Sequence, residues 1–509
     1  MHLPRRLWME DRSLVPSIRL AATGRWSWVL PVLLAGFAAI LMRLPGLGLP
    51  LERDEGAYGL IASLWLKGAL PYRDIFDHKP PLIYLLYMPA VAGTPGPVPV
   101  RAWQTCLFLL QLPLLHLIGR RVYGHTAAGL ATVLYAVAGS AFHLQGLIFN
   151  TEQALMLPAL GALWALVCGV DDDRVRWPLF YGFCLGLISL IKPTPVPLLL
   201  LLVPAFHASS TRTRLRDFLA VTAAMFAPWL PVLGYWGSAG ALGDLRFALL
   251  DYNRIYAAES AARWTTTGLV DMLAPFAPLL VCAPGGIVAG KAEGGTRSRM
   301  IVLLWTLALL AAGLLGLRPY IHYYYPALPG LALLAAPTVV FLARQALQTK
   351  GSRRLVAASG PALLLGLLLV PFVLGNLWLV GRTPEEQATA LYGPGGQHYF
   401  SPAQDVAAYI TTATTPDESI YVWASEPELY LFSTRRPASR FIYDYPLQLL
   451  PDAYVELQRD LLRNPPALIV TYHGAQPAGL ATIAERQGLR LTATIEGYDL
   501  WTRSADRQP

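Results

Sequence analysis

The residues best suited to chemistry gather in one stretch, Glu52-Arg53-Asp54-Glu55 with Tyr58 one turn on, followed by Asp74 and by Asp77-His78-Lys79-Pro80-Pro81. Leu60, Ile61, Leu64 and Trp65 recur at helical spacing after the acids, so a helix lying in the membrane interface is predicted, with Asp54 as its cap. Capping is the structural explanation of Asp54. The functional one is a carboxylate held at the membrane surface, able to take a proton from a hydroxyl, with Glu55 completing the acidic pair. Lys79 precedes two prolines, so it sits outside a helix and near the entrance of the next. It is either a snorkelling anchor or a cation for a lipid phosphate. His78 is the one candidate metal ligand, for a divalent ion shared with Asp77 or Asp74; no other cofactor is implied.

Three further groups join this set. Glu152 starts an apolar run, where the helix dipole favours an acid. Lys192 ends another at Ile191-Lys192-Pro-Thr-Pro, and a lysine at a broken membrane helix is costly unless it faces water or an anion. Arg318-Pro-Tyr320-Ile-His322-Tyr323-Tyr324-Tyr325 opens a later run; an aromatic belt accounts for tyrosines there but leaves Arg318 and His322 without a role. Asp171-Asp172-Asp173 contains the Asp-x-Asp of nucleotide-sugar enzymes, yet its neighbours Arg174 and Arg176 make it read as a solvated turn.

The elements that position these residues are membrane helices. The chain has 509 residues, 54% hydrophobic and 14% charged, against about a quarter charged in soluble domains. The net charge of +8 divides unevenly, with 30 Lys/Arg and 17 Asp/Glu in residues 1–380 against 10 and 15 in residues 381–509. The basic excess thus belongs to the apolar part, where it sets topology. No basic face with interleaved aromatics appears, which argues against nucleic acid. Cys106, Cys168, Cys184 and Cys282 all lie in apolar runs and provide no disulfide framework or zinc motif.

Candidate spans are 26–42, 101–118, 126–142, 153–169, 177–191, 193–206, 217–236, 269–289, 300–317, 323–343 and 355–379. Arg5, Arg6, Arg12, Arg19 and Arg25 precede the first, which resembles a signal sequence without a cleavage site and is read as retained. Residues 80–92 are short for a bilayer at about 1.5 Å per residue. Treating them as a surface segment places 19 basic residues on the cytoplasmic side; a full span there would move 14 of them outside. Eleven spans, a cytoplasmic N-terminus and an extracytoplasmic C-terminus follow. Nearly every reactive candidate then lies on the outer face, in the loop 43–100 or at a span end.

The expected architecture is a polytopic α-helical membrane domain, 1–380, followed by a small extracytoplasmic α/β domain, 381–509. In the tail, helices are predicted at 402–412, 452–463 and 478–487, and strands at 419–423, 467–472 and within 489–502.

Taken together, Arg53-Asp54-Glu55-x-x-Tyr58, Lys79-Pro80-Pro81-Leu82, Lys192 at a span end and His322-Tyr-x-x-Pro-x-x-Pro329 resemble the GT-C membrane glycosyltransferases of the protein O-mannosyltransferase and lipid A aminoarabinose transferase type, over about residues 26–345. The resemblance implies a polyprenyl-phosphate-linked sugar as donor and an extracytoplasmic acceptor, whether glycan, lipid or protein, on the outer face of the cell membrane. It also implies catalysis at Asp54, donor-phosphate contacts at Lys79 and Lys192, and a second acid at Glu152; Tyr58, His322, Tyr324 and Arg318 complete the expected substrate-binding set. Ala57 and His78 depart from the arginine and glutamate of the aminoarabinose enzymes. Two other classes compete: a transporter or flippase of lipid-linked saccharides, expected to carry mid-membrane charges in repeated halves, and a sensor anchored by its spans, which needs far fewer of them.

Overall fold

The computed structural model describes residues 28–206, 211–260, 266–288, 295–315, 320–350, 353–393, 402–475 and 477–503. The chain is a multi-pass membrane protein. Among the described residues eight helices are long and apolar enough to cross a membrane: Val29–Gly46, Pro97–Tyr123, Thr151–Gly169, Arg212–Ser238, Val270–Val288, Thr296–Leu315, Ile321–Gln348 and Arg354–Leu377. Each covers one predicted span. The other three predicted spans are helical but shorter: His125–Ala138, Arg176–Ser189, and Val196–Leu200 with the turn Val203–Ala205. Glycine and proline cut them. Gly124 stands at φ +82 before the first, a left-handed conformation that costs other residues about 1 kcal/mol or more, and Pro193 and Pro195 separate the second from the third.

Residues 80–92 form a helix of 10 residues, Leu82–Val91, about 15 Å long and too short for a bilayer core of roughly 30 Å. Ile83, Tyr84 and Tyr87 are fully buried in the protein. Pro80 and Pro81 explain its start, since a proline loses nothing in a first turn, where the N–H has no partner anyway.

The C-terminal part carries a five-stranded sheet, order β2-β1-β3-β5-β4, made of β1 (Ser419–Trp423), β2 (Arg436–Pro437), β3 (Leu468–Tyr472), β4 (Leu489–Ile495) and β5 (Tyr498–Arg503). β1 runs parallel to β2 and β3, while β5 lies antiparallel to β3 and β4. Ile420, Val422, Leu468 and Val470 are completely buried, as expected of central strands covered on both faces. Helices Ala403–Ala413, Ala453–Arg463 and Leu480–Gln487 match the predicted ones within two residues. The two-residue strand β2 and the helix Glu428–Ser433 were not predicted; both are too short for periodicity to register.

That short helix docks the tail onto the first loop. It packs on the helix Arg53–Leu66, where a Cβ on Gly56 would come within 2.8 Å of the Glu428 backbone nitrogen and one on Gly59 within 2.8 Å of Leu431. Gly56 is required by this approach to backbone, whereas at Gly59 the end of the Leu431 side chain would have to shift. Phe76 adds a main-chain bridge by donating its N–H to the Arg440 carbonyl at 2.8 Å.

Candidate active site

Glu52, not Asp54, caps the helix Arg53–Leu66. The Glu52 N–H donates to the Glu55 carboxylate at 3.2 Å, a capping box that leaves Asp54 outside the capping geometry. Asp54 is therefore available. Its side chain is 47% exposed, and it accepts a hydrogen bond from the Tyr58 hydroxyl one turn on, at 3.2 Å.

Glu55, expected beside it as a second catalytic acid, is used differently. It is completely buried, forms a two-pronged ion pair with Arg101 in which Nη2 donates to Oε2 at 2.7 Å, and accepts the Phe149 N–H at 2.6 Å. A carboxylate so fully engaged joins the loop helix to the span Pro97–Tyr123 and has no acceptor left for substrate. Adjacent residues in a helix point about 100° apart, which is why one faces solvent and the other the core.

Lys79 faces Asp54 across 4.0 Å. The loop before it is held tightly: Tyr72, in a left-handed conformation at φ +74, donates its hydroxyl to the Lys79 carbonyl at 2.8 Å. Asp77 is buried and accepts hydrogen bonds from the Tyr84 hydroxyl at 2.8 Å, the Tyr443 hydroxyl at 2.6 Å and the His78 N–H at 2.7 Å. Burial alone would raise its pKa, but the hydrogen bond from His78, the charge of Lys79 and the Tyr443 hydroxyl together hold it well below the usual carboxylate range. Lys79 goes the other way. Burial disfavours its charge, yet Asp54 and Asp77 outweigh that and keep the ammonium protonated.

His78 does not fit the metal expected of it. Its Nε2 lies 3.1 Å from the Lys79 ammonium, and its Nδ1 lies 3.2 Å from Asp77 Oδ1, within ion-pair reach though not aligned for a hydrogen bond. An ammonium only donates, so Nε2 must accept. Burial and the Lys79 charge also lower the imidazole pKa and keep it neutral. Asp74 is engaged by Arg73 and the Leu70 N–H. Among the described residues no three His, Cys, Asp or Glu side chains converge as a ligand set.

Lys192 and Glu152 meet as an ion pair. Asn150 and Gln153 cap the helix that carries Glu152 in its first turn, and Lys192 lies in the break between the helices Arg176–Ser189 and Val196–Leu200. The Lys192 ammonium also sits 3.7 Å from the centre of the Tyr323 ring, a cation–π contact that suits a partly desolvated cation. His322 Nδ1 lies 2.5 Å from Gln145 Oε1. Tyr324 turns away from these groups: it is buried against Phe276 and Gly313, and Tyr323 takes the position expected for it, because consecutive residues of the tight helix Ile321–Ala327 point about 120° apart. Arg318 lies outside the described residues. Asp171, Asp172 and Asp173 pair with Arg121, Arg176 and Arg216 at the exposed turn, as a solvated loop would.

Two cavities meet at Asp54 and Lys79. One, of about 380 Å³, opens between the first loop and the tail and is lined by Arg53, Gln145, Tyr320, Tyr443 and Tyr445 among others. The second, of about 330 Å³, runs between membrane helices past Glu152, Lys192, Trp229, Leu250 and Leu315. Asp54, His78, Lys79, Tyr256, His322 and Tyr323 line both. A polar chamber thus joins an apolar groove at a carboxylate and an ammonium, and each volume is in the range of small-ligand sites.

The arrangement of helices, loop and tail matches that of ArnT from Cupriavidus metallidurans bound to undecaprenyl phosphate, with a TM-score of 0.61 at 15% identity over 95% of this chain and 99% of that one. The chain has the GT-C fold. The archaeal oligosaccharyltransferase from Archaeoglobus fulgidus tethered to an acceptor peptide shares the GT-C fold less closely, at TM-score 0.52, 13% identity, and 95% and 75% coverage. So does AglB from the same organism with an inhibitory peptide and dolichol phosphate, at 0.51, 12%, 95% and 75%. At these identities the likeness is one of fold. The family model for dolichyl-phosphate-mannose-protein mannosyltransferases matches residues 78–236, a segment that includes His78, Lys79, Glu152 and Lys192. No curated protein matches the chain in sequence.

The tail's contribution to the candidate site was not visible in the sequence. Tyr443 and Glu426 come from irregular segments and Tyr445 opens the five-residue helix Tyr445–Leu449, none of them in a motif. Glu426 is buried beside Arg53 at 3.5 Å and accepts from the Tyr472 hydroxyl at 2.5 Å. Burial raises its pKa, Arg53 opposes that, and the net value is about 7 against the usual 4.5. The folded state therefore binds this proton more tightly than the unfolded chain. Its contribution is full below about pH 4.5 and is lost as pH rises through about 7. Melting temperatures followed across this window are expected to fall toward neutrality, and Glu426→Gln is expected to flatten the profile; an unchanged slope in that variant would assign the titration elsewhere.

Proposed function

We propose that the protein is a GT-C glycosyltransferase that moves a sugar from a polyprenyl-phosphate carrier to an acceptor on the outer face of the cell membrane. The single observation that carries this reading is the junction of the two cavities at Asp54 and Lys79. The groove between membrane helices suits the polyprenyl chain, and the chamber beneath the tail suits the sugar and the acceptor. The ArnT structure with undecaprenyl phosphate and the AglB structure with dolichol phosphate support a lipid-phosphate ligand for such a groove.

In this reading an acceptor hydroxyl oxygen bonds to the anomeric carbon as its bond to the phosphate oxygen breaks. The proton passes to Asp54, and the electron pair leaves with the phosphate. The developing phosphate charge is met by Lys79, with Lys192 further along the groove. Tyr58 holds the Asp54 carboxylate, and Glu152 keeps Lys192 charged and in place. A flippase would not need a carboxylate at the junction.

The decisive test is mass spectrometry of surface glycans and polyprenyl-linked sugars with and without the gene. A polyprenyl-phosphate sugar should accumulate in the deletion as one glycan or lipid substituent disappears. No change in either pool would remove the reading.

A further inference from the structure

The tail grips the first loop on both sides of the reactive pair. Arg53, immediately before Asp54, donates from Nε to the Ser425 carbonyl at 2.7 Å. Two residues before Lys79, Asp77 accepts the Tyr443 hydroxyl at 2.6 Å. The same Asp77 oxygen takes the His78 N–H at 2.7 Å and faces the His78 ring, and His78 Nε2 accepts from Lys79. An unbroken series of polar contacts therefore runs from a tail tyrosine to the ammonium at the cavity junction.

We infer that Tyr443 is a positioning residue: acting through Asp77 and His78, it holds the Lys79 ammonium where it can meet the phosphate of a polyprenyl-phosphate ligand. This rests on the reading of Lys79 as the phosphate cation. A lysine ammonium is a point charge on a flexible stem with three rotatable donors. Here one donor is given to His78, and the nearest carboxylate, Asp54, stands 4.0 Å away. Were His78 to turn, the ammonium would lose that partner and could close on Asp54, which would neutralise both the cation and the base.

Asp77 Oδ1 accepts the His78 main-chain N–H and faces the ring at 3.2 Å, and two tyrosines set Asp77. Tyr84 holds its Oδ2 from within the loop's own helix, at 2.8 Å. Tyr443 holds Oδ1, and it belongs to the tail. Occupancy of the phosphate site is thus tied to tail docking, in the way that outer partners orient the primary ligands of metal sites.

The test is titration of the full-length protein in detergent with undecaprenyl phosphate, for wild type, Tyr443→Phe, His78→Leu and His78→Gln, with Tyr409→Phe on the exposed face of the tail as control. Tyr443→Phe and His78→Leu should weaken binding roughly tenfold, with melting temperatures equal to wild type. His78→Gln, whose amide oxygen can still accept from Lys79, should recover most of that loss, and Tyr409→Phe should bind as wild type. In transfer assays the Tyr443 variant should raise KM for the donor and leave KM for the acceptor unchanged. Binding by Tyr443→Phe within about twofold of wild type would overturn the inference while leaving the phosphate site intact. Should that variant not fold, equal binding by His78→Leu and His78→Gln would overturn it. A wild type that does not bind undecaprenyl phosphate would remove both the inference and the reading beneath it.

Discussion

Asp54→Asn is expected to lower the proposed glycosyl transfer by about 10²- to 10⁴-fold, the usual range for loss of a general base, while expression and melting temperature should stay at wild-type values. The asparagine carbonyl can accept the Tyr58 hydroxyl that Asp54 accepts at 3.2 Å, so local packing survives. What it cannot do is take the proton of an acceptor hydroxyl. Lys79 loses a facing charge at 4.0 Å but keeps His78, and donor binding should change far less than turnover. Single-turnover transfer in membranes from a polyprenyl-phosphate sugar measures this directly. Near-normal turnover in the variant would exclude Asp54 as the base.

The residue next to it should behave in the opposite way. Arg101→Leu removes the partner of a completely buried Glu55, and stranding such a charge costs about 3–5 kcal/mol. The melting temperature should drop sharply, with activity lost only as the fold is lost. Replacing both partners together, as Glu55→Gln with Arg101→Met, removes the uncompensated charge and keeps an oxygen for the Phe149 N–H. That double variant should be more stable than Arg101→Leu. Wild-type melting of Arg101→Leu would show that the pair does not hold the loop.

Asp54, Lys79, Lys192 and His322 were all legible, because each is a polar residue at a break between apolar runs, and such positions are scarce in a chain that is 14% charged. The structure brings all four to one pair of cavities. Glu55 carried the same local signal as Asp54 and a different role. Nothing in Asp-Glu adjacency says which side chain meets Arg101, 46 residues away. Tyr323 and Tyr324 were likewise interchangeable in the sequence until the tight helix that carries them set their directions.

Among the described residues no ligand set gathers around His78, for a related reason. Residue type permits ligation, but ligation needs several side chains converging from different elements, and the side chain that converges on His78 is the Lys79 ammonium. The tail's share of the site left no local trace at all. Tyr443 reaches Asp77 across 366 positions, and a tyrosine in an irregular segment looks the same whether it faces solvent or an aspartate.

By itself the sequence determined the membrane class, the placement of the apolar spans, the strand and helix pattern of the tail and the small set of residues able to do chemistry. Those properties depend on composition and on periodicities of a few residues, which neighbouring positions alone specify. The tertiary structure decided which acid is free, which lysine donor is committed, and that the C-terminal tail closes the chamber. Those depend on burial and on partners tens to hundreds of residues distant, which appear only when the chain is folded.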